Sequence, residues 1–306
     1  MLLLQFWALS LLDISPAAAI GDPGAPFWSA AVASEADVCP IVVEPPPARS
    51  DAELEHRLSV DDALRVAWAE RSGYGVGVAD VSSEDGHSRA STYGEITLTG
   101  ARQIARVVGL DYFCSHVKPG MGYAACGAPI VFFDLGSGVG KLAAQAFLEW
   151  PAVSRAVGVE LSSNRSARAQ AAWGALVESG RARSLRLSAM ALAMGPSPES
   201  ADESSGEHVR VEEGLQLVRG DIFATDISEA THVYVSSLCF SDDMLVRLAR
   251  KLAEEVPRLQ VVISLRQFPE GLQGFGETRP VQAQMSWTRS TMTVRVYTRV
   301  GNFAAS

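Results

Sequence analysis

Lysine is the scarcest charge in this 306-residue chain: only Lys118, Lys141 and Lys251 occur, and there is no basic tail. A lysine-rich segment that grips a polyanion through its phosphates is therefore excluded. The net charge of −9 and a pI near 5.1 point the same way, so direct nucleic-acid binding is weak at best. Cysteine is also sparse. Cys39, Cys114, Cys126 and Cys239 form no C-x-x-C pair and share no metal-like spacing with the five histidines. No metal site is expected, and buried free thiols in a reduced compartment are the default. His56, His87, His116, His208 and His232 read as incidental, since no Ser/His/Asp arrangement or His pair stands out.

Long apolar runs are missing too. Met1 to Leu12 is apolar and nearly uncharged, and Ser15-Pro16-Ala17-Ala18-Ala19 follows, resembling a signal-peptide core and its cleavage zone. The segment lacks a basic start and is too short to span a bilayer. A cleaved leader, a buried N-terminal piece and a mistaken start remain as alternatives. What the chain does have is 47% hydrophobic content, enough for one large core or two smaller ones. Acid is concentrated early: residues 1–100 hold 15 Asp/Glu against five Arg, whereas residues 245–300 hold nine Lys/Arg against four Glu. A weakly basic C-terminal face and plain solvated surface account for this equally well.

Three regions follow from composition and periodicity. Residues 1–50 read as leader and linker, with Pro45-Pro46-Pro47 near their end. Residues 51–128 form a small helical region. Asp51 is a candidate N-cap for a helix whose apolar face runs from Leu54 to Trp68, Gly73 to Gly77 end it, and a polar loop fills 80–90. A second helix spans Thr99 to Val108 with Thr99 as N-cap. Residues 129–303 carry the main domain. Within it, Arg181 to Gly214 reads as a surface insertion, and about 195–211 is acidic, proline-containing and poor in apolar residues, so disorder is expected there. Asn164-Arg165-Ser166 is a glycosylation sequon that falls on an expected helix and reads as accidental.

The chain is organised around Ile130-Val131-Phe132-Phe133-Asp134-Leu135-Gly136-Ser137-Gly138-Val139-Gly140-Lys141. A buried parallel strand, a glycine turn and a helix from Leu142 to Trp150 follow one another, which is the opening of a Rossmann-type unit. Glycines serve a tight turn and close approach of the backbone to a ligand. The dinucleotide fingerprint fails because Lys141 stands at its third glycine. A P-loop fails because Leu135 and Leu142 replace its first Gly and its Ser/Thr. Asp134-x-Gly136-x-Gly138-x-Gly140 remains, and it resembles the first motif of the class I S-adenosylmethionine (SAM) methyltransferases. A carboxylate at a strand tip suits a ligand that carries an ammonium, a sulfonium and a ribose diol but no phosphate. Glu160 ends the next expected strand, Ala156 to Glu160, 20 residues after Gly140, the separation at which a carboxylate meets ribose hydroxyls in a βαβ unit. Ser162 to Gly180 is then a helix, with Ser163 as its cap.

Set together, Tyr93-Gly94-Glu95, Phe133 to Gly140 with Gln145, and Gly158-Val159-Glu160 resemble the non-SET histone-lysine methyltransferases of the telomeric-silencing family. Arg219-Gly220-Asp221, Val233 to Phe240 and Ser286-Trp287-Thr288 continue the likeness, which covers about residues 90–300. The resemblance implies a class I Rossmann-like α/β fold: a seven-stranded sheet, helices on both faces and a C-terminal antiparallel hairpin, Gln282 to Trp287 with Met292 to Val300. It implies SAM as cofactor, held by Tyr93, Gly94, Glu95, Asp134, Gly136, Ser137, Gly138, Gly140 and Glu160. Asp221 would accept the adenine amino group, with Ile222 or Phe223 packing on the purine. Ser236 at the tip of the fourth strand, Thr231 to Leu238, would face the methyl group, and Ser236 and Tyr93 are the candidate catalytic residues. A histone lysine in the nucleosome, a nuclear location and a monomer are implied by the same likeness; an organelle or the secretory route is the alternative if the leader is real.

Two departures stand beside it. The family has an Asn pair where this chain has Ser236-Ser237, and a hydroxyl cannot do the work of a planar amide. The family's channel aromatics are missing from Met292-Thr293-Val294-Arg295, leaving Trp287 and Tyr297 as channel walls or as core. These departures favour, as the alternative, a methyltransferase of a non-histone protein or small molecule, or a non-catalytic SAM-binding module.

Overall fold

The computed structural model describes residues 46–76, 93–111, 129–194, 211–278 and 280–300. The chain divides into two units, Met1–Pro40 and Ile41–Ser306, and every described residue lies in the second. The leader and most of the linker, the polar loop at 80–90, the acidic stretch at 197–207, three of the cysteines (Cys39, Cys114 and Cys126), Lys118, His87, His116 and His208 all fall outside the described residues.

In chain order the elements are α1 (Asp51–Ala67), α2 (Leu98–Val108), β1 (Ile130–Leu135), α3 (Lys141–Glu149), β2 (Val153–Glu160), α4 (Ser163–Glu178), α5 (Arg181–Met194) and α6 (Val211–Gly214). There follow β3 (Leu215–Arg219), β4 (His232–Val235), a 3-10 turn (Ser237–Cys239), α7 (Asp242–Glu255), β5 (Val261–Ser264), β6 (Phe275–Glu277), β7 (Val281–Gln284) and β8 (Thr291–Arg299). Three helix caps sit one or two residues before their expected places. Ser50, not Asp51, caps α1 by accepting the N–H of Glu53 at 3.2 Å, which leaves Asp51 in the first turn to meet the helix dipole. Thr97, not Thr99, caps α2, because its hydroxyl reaches the N–H of Gly100 at 3.0 Å. Ser162, not Ser163, caps α4 through the N–H of Arg165.

The sheet runs β3-β2-β1-β4-β5-β8-β6, and β7 pairs with β8 off that path. The first five strands are parallel; β8 meets β5, β6 and β7 antiparallel. There are eight strands among the described residues against the seven expected. The extra pairing comes from β6, a three-residue edge strand without an apolar run, so periodicity did not mark it. Asp134 on β1 faces Gly158 of β2 and Tyr234 of β4 in register, so the motif strand is central. Successive residues of β1 feed opposite faces, as pleating requires. Phe132 joins the core under α1 and α3 to α5, and Phe133 joins the core under α7. Each such buried ring stabilises the fold by about 1.5–3 kcal/mol.

The expected surface insertion is corrected at its start. Residues 181–194 form α5, which buries Ala182, Leu185, Arg186 and Ala189. The Arg186 guanidinium donates to the carbonyls of Phe147 (2.8 Å), Trp150 (3.1 Å) and Pro151 (3.2 Å) and lies 4.7 Å over the Phe147 ring. It thus closes the C-terminal end of α3, where free carbonyls and the dipole favour a cation. Burial lowers its pKa to about 10.

A second buried network ties the N-terminal helices to the sheet. Arg102 of α2 donates to both oxygens of Glu149 on α3 at 2.7 Å and to Asp61 of α1 at 2.6 Å. Glu53 and Arg57 of α1 pair at 2.5 Å beside them. Removing one partner of such a buried pair costs about 3–5 kcal/mol. The N-terminal helices are thus anchored at the C-terminal end of α3, the end away from the glycine turn.

Candidate active site

The turn between β1 and α3 needs its glycines. Gly136, Gly138 and Gly140 have φ of 81°, 58° and 74°, a region disfavoured for other residues. The N–H groups of Gly136 and Ser137 donate to the carbonyl of Val159, binding the turn to β2. The close approach expected for a ligand is made by the protein itself at two of the three positions. A Cβ on Gly138 would lie 2.6 Å from the Tyr93 ring, and one on Gly140 would lie 2.6 Å from Leu217. At Gly136 the nearest atom would be the Cβ of Ser236 at 3.7 Å, which is ordinary contact. Ser137 turns its hydroxyl toward Gly158 of β2.

Two carboxylates stand at the strand ends. Asp134 is 2% exposed, and no described group donates a hydrogen bond to its side chain. Burial, and then the neighbouring Glu160, push its pKa up to about 8. Tyr234 beside it is held neutral by burial and by Asp134. Glu160 accepts the N–H of Gly138 at 2.8 Å on one oxygen and that of Ser162 at 2.9 Å on the other, with Arg165 at 4.0 Å. Its carboxylate is thereby oriented at the turn, and each oxygen keeps a further lone pair.

Tyr93-Gly94-Glu95 arrives on the other side of the turn. It is carried by the C-terminal hairpin: Ile96 bridges Met285, Thr97 donates to the Gln284 carbonyl, and Ser286 donates to the Glu95 carbonyl. Gly94 lies so close to Trp287 that a Cβ would sit 2.1 Å from the indole. The Glu95 carboxylate accepts from the Tyr93 hydroxyl and from Lys141 Nζ, each at 2.5 Å. Arg165 lies 4.5 Å over one face of Tyr93, and Tyr74 meets its edge at 5.0 Å between centroids. Burial, and then Glu95, raise the Tyr93 pKa far above the usual phenol range, so it is a donor at neutral pH.

The serine pair divides its roles. Ser237 is fully buried; its hydroxyl lies 2.8 Å from that of Ser264 and accepts the N–H of Arg266 at 2.9 Å. Ser236, half-buried, is the one opposite Gly136. At the end of β3, Asp221 is exposed and accepts the N–H of Phe223 at 2.9 Å. Ile222 is buried in the α7-side core, so Phe223, half-buried under the Arg247 guanidinium at 4.1 Å, is the apolar face left there. Tyr297 is core: it packs edge-on against Phe268 at 5.3 Å. Trp287 is half-buried against Gly94.

Sequence reasoning missed Trp68, Tyr74, Lys141 and Arg165. Lys141 counted only as a break in a fingerprint, and Trp68 only as an apolar helix residue. Among the described residues no group of three or more His, Cys, Asp or Glu could hold a metal ion, and no helix is long and apolar enough to cross a membrane.

No protein-family model matches the chain, and no curated protein sequence does. Solved structures do resemble it. An RNA methyltransferase from Salinibacter ruber in complex with S-adenosyl-L-homocysteine is 21% identical with a TM-score of 0.34, over 58% of this chain and 85% of that one. TrmN from Thermus thermophilus is 14% identical with a TM-score of 0.40, over 69% and 52%. The mitomycin 7-O-methyltransferase MmcR is 14% identical with a TM-score of 0.37, over 82% and 69%. The strand order β3-β2-β1-β4-β5, with an antiparallel β8 beyond β5, is by itself that of a doubly wound Rossmann-like sheet.

Proposed function

We propose that this chain is a SAM-dependent methyltransferase whose acceptor is a small molecule or a protein other than a histone. The observation that carries the reading is Asp134: a buried carboxylate that has no hydrogen-bond donor among the described residues, at a strand tip beside a glycine turn, asks for a cationic ligand. The donor set fits SAM at each end. Asp134 provides negative charge for its ammonium and sulfonium. Glu160, already oriented by two backbone N–H groups, accepts the ribose hydroxyls. Glu95 and Lys141 offer opposite charges to the amino-acid end, and Asp221 with Phe223 stands where adenine is expected. When bound, SAM supplies a methyl group on sulfonium for in-line displacement by a nucleophile.

The protein's own contribution is positioning and exclusion of water. Tyr93 covers the turn, with Trp287 packed against Gly94 beside it, and the hydroxyl of Ser236 is available to accept a hydrogen bond from the incoming nucleophile. No dedicated base is required if an amine arrives neutral. The acceptor assignment is supported by Ser237, whose hydroxyl is consumed inside the protein, and by Val294, which is buried in the core.

A second reading keeps a histone lysine as acceptor and a nuclear location. The seating of Tyr93-Gly94-Glu95 on the glycine turn, against Trp287, favours it. The experiment is to incubate purified protein and tritiated SAM with nucleosomes and, separately, with a fractionated lysate. Label in a lysate fraction but not in nucleosomes supports the first reading; nucleosomal label supports the second. SAM binding by calorimetry without label anywhere reduces the protein to a cofactor-binding module, and no binding overturns all three. Imaging a C-terminally tagged protein separates a nuclear from an organellar or secreted site.

A further inference from the structure

The glycine turn is held at the Val139 carbonyl by a tryptophan from the N-terminal helix. Val139 is flanked by Gly138 and Gly140, both at positive φ. Glycine on its C-terminal side widens the range of orientations open to the 139–140 peptide plane, which is held through its N–H as well as its carbonyl. Its carbonyl accepts the indole N–H of Trp68 at 2.7 Å, and Trp68 itself is 5% exposed at the C-terminal cap of α1. The Val139 N–H lies against the Tyr93 hydroxyl, while Gly140 N–H donates to the Ser137 carbonyl at 2.8 Å. Both polar groups of Val139 are therefore fixed by aromatic residues from the N-terminal region.

We propose that Trp68 is a positioning residue for cofactor binding: its indole N–H locks the Val139 peptide and so preorganises the turn that receives SAM. This rests on the reading of the cleft as a SAM site. A bond of 2.7 Å that can rotate away only by leaving a buried indole N–H unpartnered has a strong orientational effect. Without it the plane keeps only the Gly140 N–H bond to Ser137, the turn samples a wider set of orientations, and binding must first select the competent one.

The test compares wild type with Trp68→Phe, and with a form in which benzothienylalanine replaces Trp68, keeping the bicyclic shape but losing the N–H. Expected is a roughly 5–10-fold weaker SAM affinity by calorimetry, a raised KM for SAM with kcat at saturation unchanged, and faster amide exchange at Gly140. The shape-preserving form should melt within a degree or two of wild type, which a merely structural role would not combine with lost affinity. Wild-type protein that binds SAM, with a shape-preserving variant that binds as tightly, overturns the role of Trp68 alone. Wild-type protein that binds no SAM overturns the cleft reading and this proposal with it.

A different observation carries a second inference. Away from the cleft, His56, Asp111 and Trp150 line one small cavity, and they are 4%, 5% and 3% exposed. His56 Nδ1, Asp111 Oδ1 and Trp150 Nε1 are buried without a hydrogen-bond partner. His56 Nε2 lies 3.2 Å from the Leu148 carbonyl, which can only accept, so Nε2 carries the proton and Nδ1 is an acceptor. The cavity therefore presents one donor and two acceptors, and its space is on the order of one water molecule.

We infer that this is a built site for a single ordered water, which donates to His56 and Asp111 and accepts from Trp150. A crystal structure at resolution sufficient to place waters should show one peak within hydrogen-bond distance of all three atoms. Trp150→Phe should lose that peak and melt about 2–4 °C lower. A site without the peak, a density too large for one water, or a protein group in its place would each overturn the assignment.

Discussion

Glu160 accepts the backbone N–H of Gly138 at 2.8 Å, so the carboxylate expected to meet ribose also braces the turn that would lie over it. Replacement by Gln sets its NH2 against one of the two backbone donors and leaves that N–H unpartnered. Glu160→Gln should lose about 1–3 kcal/mol of stability and at least tenfold in SAM affinity, measured by denaturant unfolding and calorimetry.

Asp134 makes cofactor affinity depend on pH. Its folded pKa of about 8 lies above the unfolded value near 3.9. The folded state therefore binds the extra proton between roughly pH 4 and 8, and the group's contribution to the stability of ligand-free protein falls as pH rises through that window. A cationic ligand prefers the ionised form, so SAM affinity should rise from pH 6 to about 8 and then level. Asp134→Asn should flatten this profile and weaken binding; a profile that stays steep in the variant assigns it to another group.

His232 acts in the opposite sense at acid pH. Burial lowers its pKa to about 4, and its Nδ1 lies 3.1 Å from the Thr231 hydroxyl. Below pH 6.5 the unfolded chain takes up a proton that the folded chain refuses, so this contribution to stability is lost as pH falls toward 4. Melting curves between pH 4.5 and 7 should show a shallower acid loss in His232→Gln than in wild type, whatever that variant's stability at neutral pH.

The two adjacent serines should separate stability from activity. Ser237→Ala removes the contacts to Ser264 and Arg266 and should cost about 1–3 kcal/mol with the cleft intact. Ser236→Ala should melt like wild type but raise the acceptor KM or lower kcat. The reverse pattern would exchange their roles.

Arg186→Met should destabilise by about 2–4 kcal/mol, since three carbonyls at the end of α3 lose their donor. Arg186→Lys should recover only part, because an ammonium cannot span all three with the same geometry. Thermal melts of both variants check the order.

How much of this was legible beforehand varies with the range of the interaction. β1, the glycine turn and α3 were readable because strand, turn and helix signals are contiguous and each residue type has one local reason to be there. Glu160 was readable through a fixed spacing. Trp68, Lys141 and Arg165 were not, because their meaning depends on partners 46 to 92 residues away, such as Val139 and Gly73. α5 was missed because Ala182, Leu185 and Ala189 are a thin apolar face interleaved with arginines that look solvated. Ile222 was expected at the purine with Phe223 as the alternative, yet the turn closed on the Asp221 carbonyl after β3 puts it into the core.

The C-terminal hairpin closes the sheet through β8 and also carries the Tyr93-Gly94-Glu95 loop. Cover of the glycine turn and sheet completion are thus inseparable in this architecture. A shortened version ending after β5 would retain the glycine turn, both strand-tip acids and Tyr93-Gly94-Glu95 but would lose the hairpin that seats that loop, so no minimal fragment of the parallel half alone can be expected to hold SAM.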